Sequence, residues 1–328
     1  MPAKTILVCG GAGYIGAHMC QQLAGAGHVP VSFDNLSSGH RWAVRWGPLV
    51  EGDLLDPTAL ADVLRAYQVD AVMHFAARSL VGESVRQPGE YFRNNVTGTL
   101  NLLDAMRNAD VTQLVFSSTA AVYGNPQSPR IDETHPTQPI NPYGWSKLMA
   151  ERQIAEYARA YGLRTCCLRY FNAAGADAAN GIGEAHEPET HLIPNILLAA
   201  LDAARGPVSL FGNDYATFDG TCLRDYVHVD DLCDAHLRAL AYLDDHAGHH
   251  VLNLGSGSGH SVAQVLAACQ QACGGRPAAH YVARRAGDPA VLVADTTLAA
   301  KELQWQPQKS LHDIVSDALA WHQIPRRE

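Results

Sequence analysis

A phenol and an ammonium stand four residues apart in Tyr143-Gly-Trp-Ser-Lys147. On a helix that spacing puts both on one face, one turn apart. A tyrosine with an ordinary pKa of about 10 is a poor base at neutral pH, but a lysine charge held close favours the phenolate and draws it toward the working range. A second component is Leu114-Val-Phe-Ser-Ser-Thr119, an apolar run closing on three hydroxyls. As a strand of a parallel sheet it presents those hydroxyls at the carboxyl end, where such sheets carry their reacting groups. Thr119 can then hydrogen-bond a substrate hydroxyl and hand its proton toward Tyr143. The third component is Gly10-Gly-Ala-Gly13-Tyr-Ile-Gly16, which follows a strand-like run and opens a helical one. Its glycines allow a tight turn, close approach of backbone N–H groups to a pyrophosphate, and close helix–strand packing. Asp34, at the end of the next strand-like run, can accept hydrogen bonds from ribose hydroxyls and would repel a 2′-phosphate, so the dinucleotide is expected to be NAD rather than NADP. Asp53, one strand further on, is expected at the adenine edge. Strand end, helix face and nicotinamide would converge on one carbinol carbon, a site for hydride transfer.

Positioning these groups requires an α/β fold of the Rossmann type, a doubly wound parallel sheet with a smaller mixed α/β lobe. Short β-branched runs at 5–10, 29–34, 49–53, 71–76, 114–119 and 164–172 alternate with helix-length amphipathic stretches, the pattern of parallel strands with crossover helices. Asp56-Pro57 reads as the cap and first residue of a helix to about residue 67, and 88–107 and 143–161 read as longer helices. The rhythm breaks over 173–189. A helix near 194–204, a strand at 208–211 and a turn-rich stretch at 212–220 follow. The chain is then expected to rejoin the first sheet near 226–229 and 251–254, with Asp230/Asp231 capping a helix between them. This gives an NAD-binding domain over 1–175, re-entered over about 222–255, and a substrate lobe from 176–221 and 256–328.

The composition fits this reading. In 328 residues, 47% are hydrophobic and 17% charged, an ordinary globular balance. A net charge of −9 without a Lys/Arg-rich run argues against nucleic acid or an anionic membrane surface as partner. No apolar run approaches the roughly 20 residues of a membrane span, and the N-terminus opens directly into a strand, so the cytoplasm is the expected location. The eight cysteines form no C-x-x-C and read as buried, reduced small hydrophobes. Of the sixteen histidines, neither His249/His250 nor His186/His191 stands beside an evident set of ligands, and no metal is expected.

The blocks Gly10 to Gly16, Phe33-Asp-Asn-Leu36, Glu51-Gly-Asp53, His74-Phe-Ala-Ala77, Val81-Gly-Glu-Ser84, Asn94-Asn-Val96, Ser117-Ser-Thr119 with Val122-Tyr-Gly124, Tyr143 to Lys147, Arg169-Tyr-Phe-Asn172, Phe211-Gly-Asn-Asp-Tyr215, Arg224-Asp-Tyr-Val-His228 and Arg284-Arg-Ala-Gly-Asp288 run nearly the full length. Together they resemble the extended short-chain dehydrogenase/reductases and, within them, the UDP-glucose 4-epimerase family. In that family NAD stays bound, and the hexose C4 hydride passes to it and returns to the other face of a 4-keto sugar. The resemblance makes Tyr143 the base, Thr119 its hydroxyl partner, and Lys147 the pKa tuner and ribose contact. It assigns the cofactor Gly10, Gly13, Tyr14, Ile15, Gly16, Asp34, Asn35, Leu36, Ser38, Gly39, Asp53, Leu54, Phe75, Ala76, Ala77, Ser79, Asn94, Ser117, Tyr143, Lys147 and Tyr170. It assigns the UDP-sugar Ser79, Thr119, Tyr143, Phe171, Asn172, His191, Leu192, Ser209, Phe211, Arg224, Arg285, Asp288 and Leu292, and it implies a homodimer. Thr119 stands where some relatives have serine, Ser79 (beside Arg78) where some have lysine, and His191 where some have asparagine. Leu292 replaces a tyrosine that narrows the sugar pocket, so activity on UDP-GalNAc and UDP-GlcNAc is expected as well. The rivals are a UDP-glucuronate 4-epimerase and a non-catalytic NAD-sensing regulator of the same fold. A 4,6-dehydratase would carry Asp-Glu where Ala120-Ala121 stands.

Overall fold

The computed structural model describes residues 2–284 and 289–324. Seven strands form one parallel sheet: β1 (Thr5–Cys9), β2 (Val29–Asp34), β3 (Leu49–Glu51), β4 (Ala71–His74), β5 (Gln113–Thr119), β6 (Arg164–Tyr170) and β7 (His249–Leu254). Their order is β7-β6-β5-β4-β1-β2-β3, so the direction of winding reverses between β1 and β4, where an open sheet leaves its ligand crevice. Alternation along a strand separates the two faces. Ile6 and Val8 of β1 pack with Met19, Leu23, Leu232 and Leu240, whereas Leu7 and Cys9 pack with Leu60, Leu103, Met106 and Ile154 on the other side. Each such fully buried aliphatic side chain contributes about 1.5–3 kcal/mol. A separate apolar cluster joins Ile193, Ile196, Leu197, Tyr226, Val265, Ile314 and Val315 beyond the sheet.

Local chemistry sets the ends of the helices that matter most. Asp56 accepts from the amides of Thr58 and Ala59 and Pro57 opens the helix Pro57–Ala66. In the helix Pro142–Tyr161, the Asn141 side chain accepts from the Gly144 amide at 2.9 Å, Pro142 occupies the first turn, and Gly162 closes the end with φ at +72°. Among the described residues no helix is long and apolar enough to cross a membrane.

Four expectations are corrected. The 164–172 run is not one strand: β6 ends at Tyr170, and Asn172–Ala174 pairs instead with Tyr226–His228 in a separate two-stranded ribbon. For the same reason Tyr226–His228 does not rejoin the first sheet, although His249–Leu254 does, alongside β6. The helix Val229–Asp245 is capped by His228, whose Nδ1 accepts from the Asp230 amide, while Asp230 and Asp231 lie in its first turn. The 88–107 helix is interrupted by a π-helical segment, Phe92–Thr97, which carries Asn94 and Asn95.

Candidate active site

The glycine turn leaves no room for side chains. Gly10 has φ +82°, and a Cβ there would lie 2.6 Å from the Ala76 nitrogen. A Cβ on Gly16 would lie 2.0 Å from the Gly10 carbonyl oxygen. Gly13 precedes the helix Tyr14–Gly25 without any side-chain cap, so the amides at its N-terminus have no side-chain acceptor and face the turn as anion donors. Ile15 and Tyr14 pack on the core beneath, and the Tyr14 hydroxyl donates to the Gly175 carbonyl at 2.6 Å. Phe75 and Ala76 both donate their amides to the Cys9 carbonyl, which brings Ala77 past the turn. Asp34 is buried at the end of β2 and accepts from the amides of Ala12 (3.0 Å) and Leu36 (2.8 Å). Burial raises its pKa, and those two amides work against the rise. Gly39 passes so close that a Cβ would come within 3.0 Å of Asp34 Oδ1. Asp53 accepts from Asn35 Nδ2 at 2.8 Å, Leu54 is buried against Gly98, and Ser38 lines the cleft with Ala12, Gly13, Tyr14 and His40. A bare glycine cradle ending on a helix N-terminus, with a carboxylate beyond it, fits the pyrophosphate and adenine ribose of NAD.

At the carboxyl end of β5 the reacting groups come together. The Thr119 hydroxyl oxygen accepts from the Ala121 amide at 3.1 Å, and the hydroxyl stands near enough to the Tyr143 phenol to act on its pKa. Burial pushes the Tyr143 pKa up, and the Thr119 hydroxyl works against that rise. Tyr91 meets the phenol ring edge-on with centroids 6.4 Å apart. Lys147 lies one turn along the same helix, 2% exposed, with its ammonium 4.7 Å from the Phe116 ring centre and donating to the Ser117 carbonyl at 2.8 Å. Burial lowers its pKa from 10.5 to about 7, against the pull of Cys167 and Glu151. In the protein alone the ammonium is thus directed at β5 rather than at the phenol. The Ser117 and Tyr170 hydroxyls hydrogen-bond each other beside it.

Farther out, Phe171 and Leu292 pack together on Ala120, Val122, Tyr123, Ile131 and Leu148, directly behind the end of β5. The Asn172 amide donates to the Asp225 carbonyl at 2.9 Å, and Leu292 pairs in register with Arg224. The Arg224 guanidinium donates to the carbonyls of Leu223 and Pro289. Ser209 and exposed Phe211 occupy the strand Val208–Phe211, where Ser209 Oγ lies 3.2 Å from His280 Nε2. Exposed Ser79 follows Arg78, whose backbone is held at both ends by the buried Asn95 amide, next to Asn94. Leu192 opens the helix Leu192–Leu201, two residues earlier than its pattern predicts, with His191 as the preceding residue. Arg285 and Asp288 lie outside the described residues. The histidine reading is corrected here: the 184–191 segment folds so that His186 and His191 both face the Glu184 carboxylate, and His191 also faces Glu189.

Sequence reasoning missed the support beneath the site. Glu151, one turn beyond Lys147, accepts two hydrogen bonds from the Arg169 guanidinium and one from the Ser118 hydroxyl. Arg169 donates onward to the Tyr123 hydroxyl, which donates to Asn253 on β7. The signal was the i, i+4 spacing of Lys147 and Glu151 on a face already identified. Asn95, which also donates to Ser146 Oγ at 2.9 Å, ties the π-helical segment to the helix of Tyr143 and Lys147.

Residues 6–255 match the NAD dependent epimerase/dehydratase family. The chain is 49% identical over 322 residues to a UDP-glucose 4-epimerase of Rhizobium leguminosarum bv. trifolii, covering 98% of both chains. Among solved structures it superposes on the UDP-glucose 4-epimerase of Brucella ovis in complex with NAD with a TM-score of 0.93, at 48% identity and covering 97% of this chain and 98% of that one. The Stenotrophomonas maltophila UDP-glucose-4-epimerase, solved with NAD and formylated UDP-arabinopyranose, gives 0.94 at 40% identity, covering 98% of each chain.

Proposed function

The chain belongs to the NAD dependent epimerase/dehydratase family, and from that premise we propose that it interconverts UDP-galactose and UDP-glucose by inverting C4 of the hexose. The observation that carries this reading is the Thr119–Tyr143 pair brought together at the carboxyl end of β5, with Lys147 one turn away and the glycine cradle at the switch point of the same sheet. Bound in that cradle, NAD supplies the acceptor and donor of the C4 hydride, through a transient 4-keto sugar. The protein supplies the rest. Gly10, Gly13 and Gly16 let the backbone approach the pyrophosphate, and Asp34 takes the adenine ribose hydroxyls. Tyr143 removes the proton of the C4 hydroxyl and returns it, with Thr119 hydrogen-bonding both partners. Lys147, whose ammonium rests against the Ser117 carbonyl in the protein alone, would turn to the other ribose when NAD is bound and there favour the phenolate. Asn172, the His191-Leu192 corner, Phe211 and Arg224 hold the UDP-sugar, with Arg224 suited to the diphosphate.

Leu292 favours a second substrate class. It lies against the hydrophobic wall behind Thr119, and it fills less volume than a tyrosine would, so the pocket admits UDP-GalNAc and UDP-GlcNAc. Incubating the purified protein separately with UDP-galactose, UDP-GalNAc and UDP-galacturonate, without added NAD, tests substrate and cofactor retention together. C4 inversion of the first two is expected. Turnover of UDP-galacturonate alone would transfer the reading to uronic acids, and binding without inversion of any sugar would make the chain a regulator.

The working form is a homodimer in the cytoplasm. Exposed Trp145 and Met149 of the helix Pro142–Tyr161, with exposed Val81 and Val85 of the neighbouring helix Val81–Arg86, supply an apolar face for a second copy. The eight cysteines are present as thiols, as suits a reducing compartment. Light scattering should return a dimer mass, converted to a monomer mass by Trp145→Asp.

A further inference from the structure

Outside the reacting groups, one cluster brings together side chains of a different chemistry. Glu184, His186, Glu189 and His191 each direct one ligand atom into a common space, all within 4.8 Å of one another. Nδ1 of His186 lies 3.1 Å from Glu184 Oε1, and Nδ1 of His191 lies 2.6 Å from the same oxygen and 2.8 Å from Glu189 Oε1. Glu184 is only 5% exposed. A buried carboxylate is costly unless compensated; without an ion, the His186 and His191 imidazoles supply that compensation for Glu184, and Glu189 Oε1 accepts from the Thr190 and His191 amides at 2.7 and 2.8 Å. A single N–H on His191 Nδ1 cannot point at Glu184 and Glu189 together, and Glu184 Oε1 must serve two imidazoles. A cation between the four atoms serves all of them at once.

We propose that Glu184, His186, Glu189 and His191 form a binding site for one divalent ion of the zinc type, which fastens the 184–191 loop beside the dinucleotide cleft. Two imidazole nitrogens and two carboxylate oxygens are a borderline donor set of the kind zinc takes in four-coordinate sites, whereas calcium requires six to eight oxygens. At ligand distances of about 2.0–2.2 Å, tetrahedral ligand atoms lie roughly 3.4 Å apart. The four atoms reach that arrangement by side-chain adjustments of about an ångström. The loop is already anchored at one end, where Trp321 Nε1 donates to the Glu184 carbonyl at 2.9 Å and His40 Nε2 pairs with the Ala185 carbonyl at 2.8 Å. Gly183, Ala185 and His186 line the same cleft as Gly13, Tyr14 and Ser38. The ion ties that anchored end to His191, the residue that immediately precedes the helix Leu192–Leu201. It uses Nδ1 of His191 and leaves the Leu192 backbone to the nucleotide sugar.

The test uses the full-length, NAD-loaded protein, freed of metal with a chelator and dialysed against Zn2+ or Co2+. One equivalent of zinc per chain is expected, with the intense visible absorption of four-coordinate Co2+ in the cobalt form and slowed amide exchange over 184–191. The His186→Ala/Glu189→Gln double variant should bind zinc at least about 100-fold more weakly, since even outer-shell partners matter on a 10- to 100-fold scale. The single Glu189→Gln variant provides the same comparison if the double variant fails to fold. Absence of stoichiometric zinc, as when a shared proton alone holds the cluster, overturns the proposal, and so does zinc bound equally well by the variants. Because metal content is read rather than turnover, failure here leaves the epimerase reading untouched, and the reverse also holds.

Discussion

Replacing Lys147 with methionine should make the protein more stable while disabling it. The ammonium is 2% exposed, and burial holds its pKa at about 7 rather than 10.5. At about 1.4 kcal/mol for each tenfold loss of proton affinity, keeping that charge in the folded protein costs roughly 5 kcal/mol wherever the group is protonated in both states. Methionine removes the cost but leaves the buried Ser117 carbonyl without its donor, a loss of about 1–3 kcal/mol. A net gain of about 2–4 kcal/mol is expected. The pH dependence has a definite sign. Between about pH 7 and 10.5 the unfolded chain binds this proton and the folded one does not, so wild-type stability rises with pH across that window. Lys147→Met lacks the rise, so its advantage is full below pH 7 and shrinks by pH 9. Urea unfolding of both proteins, stripped of NAD, at pH 6 and pH 9 measures this directly. A variant less stable than wild type at pH 6, or a gap that fails to narrow at pH 9, would refute the reasoning. Turnover of the same variant should fall by at least about 100-fold.

Tyr143→Phe should keep its fold and its NAD while losing about 100- to 10,000-fold in kcat, and near-normal turnover would remove Tyr143 as the base. Thr119→Val should shift the acidic limb of the pH–rate profile to higher pH, because the hydroxyl opposing the rise in the Tyr143 pKa is gone. Thr119→Ser should restore it. Gly16→Ala forces a methyl to 2.0 Å from the Gly10 carbonyl. It should cost at least the 1–3 kcal/mol typical of overpacking and release NAD, read as loss of cofactor from the purified protein.

What was legible in the chain was local. The glycine turn, the hydroxyl-ended strand and the Asn141-Pro142 helix start each carry their signal within a few residues, and the structure assembles them at one sheet end. The misreadings involve partners far apart in sequence. Nothing within residues 164–172 marks the break after Tyr170, because it is the distant Tyr226–His228 segment that captures Asn172–Ala174. His228 caps its helix where aspartate is the favoured type, since a neutral imidazole nitrogen is as competent an acceptor for the Asp230 amide. The Glu184, His186, Glu189 and His191 set has no regular spacing, and only the loop's path brings it together. The Glu151–Arg169 pair joins a helix to a strand and becomes visible only once the two are packed.

Ile131 is tied on both sides: its amide donates to the Val293 carbonyl at 2.9 Å, and its carbonyl accepts from the Asp295 amide and from the side chain of Asn253 on β7. The wall bearing Leu292 is therefore stitched to the rigid sheet rather than carried on a free loop. With Leu292 bordering the sugar as proposed, pocket width would change through the side chain at 292 alone, while the distances among Thr119, Tyr143 and Lys147 stay as they are. For an evolving enzyme this makes diet separable from chemistry: a lineage can widen or narrow the range of sugars it accepts without having to rebuild the reaction.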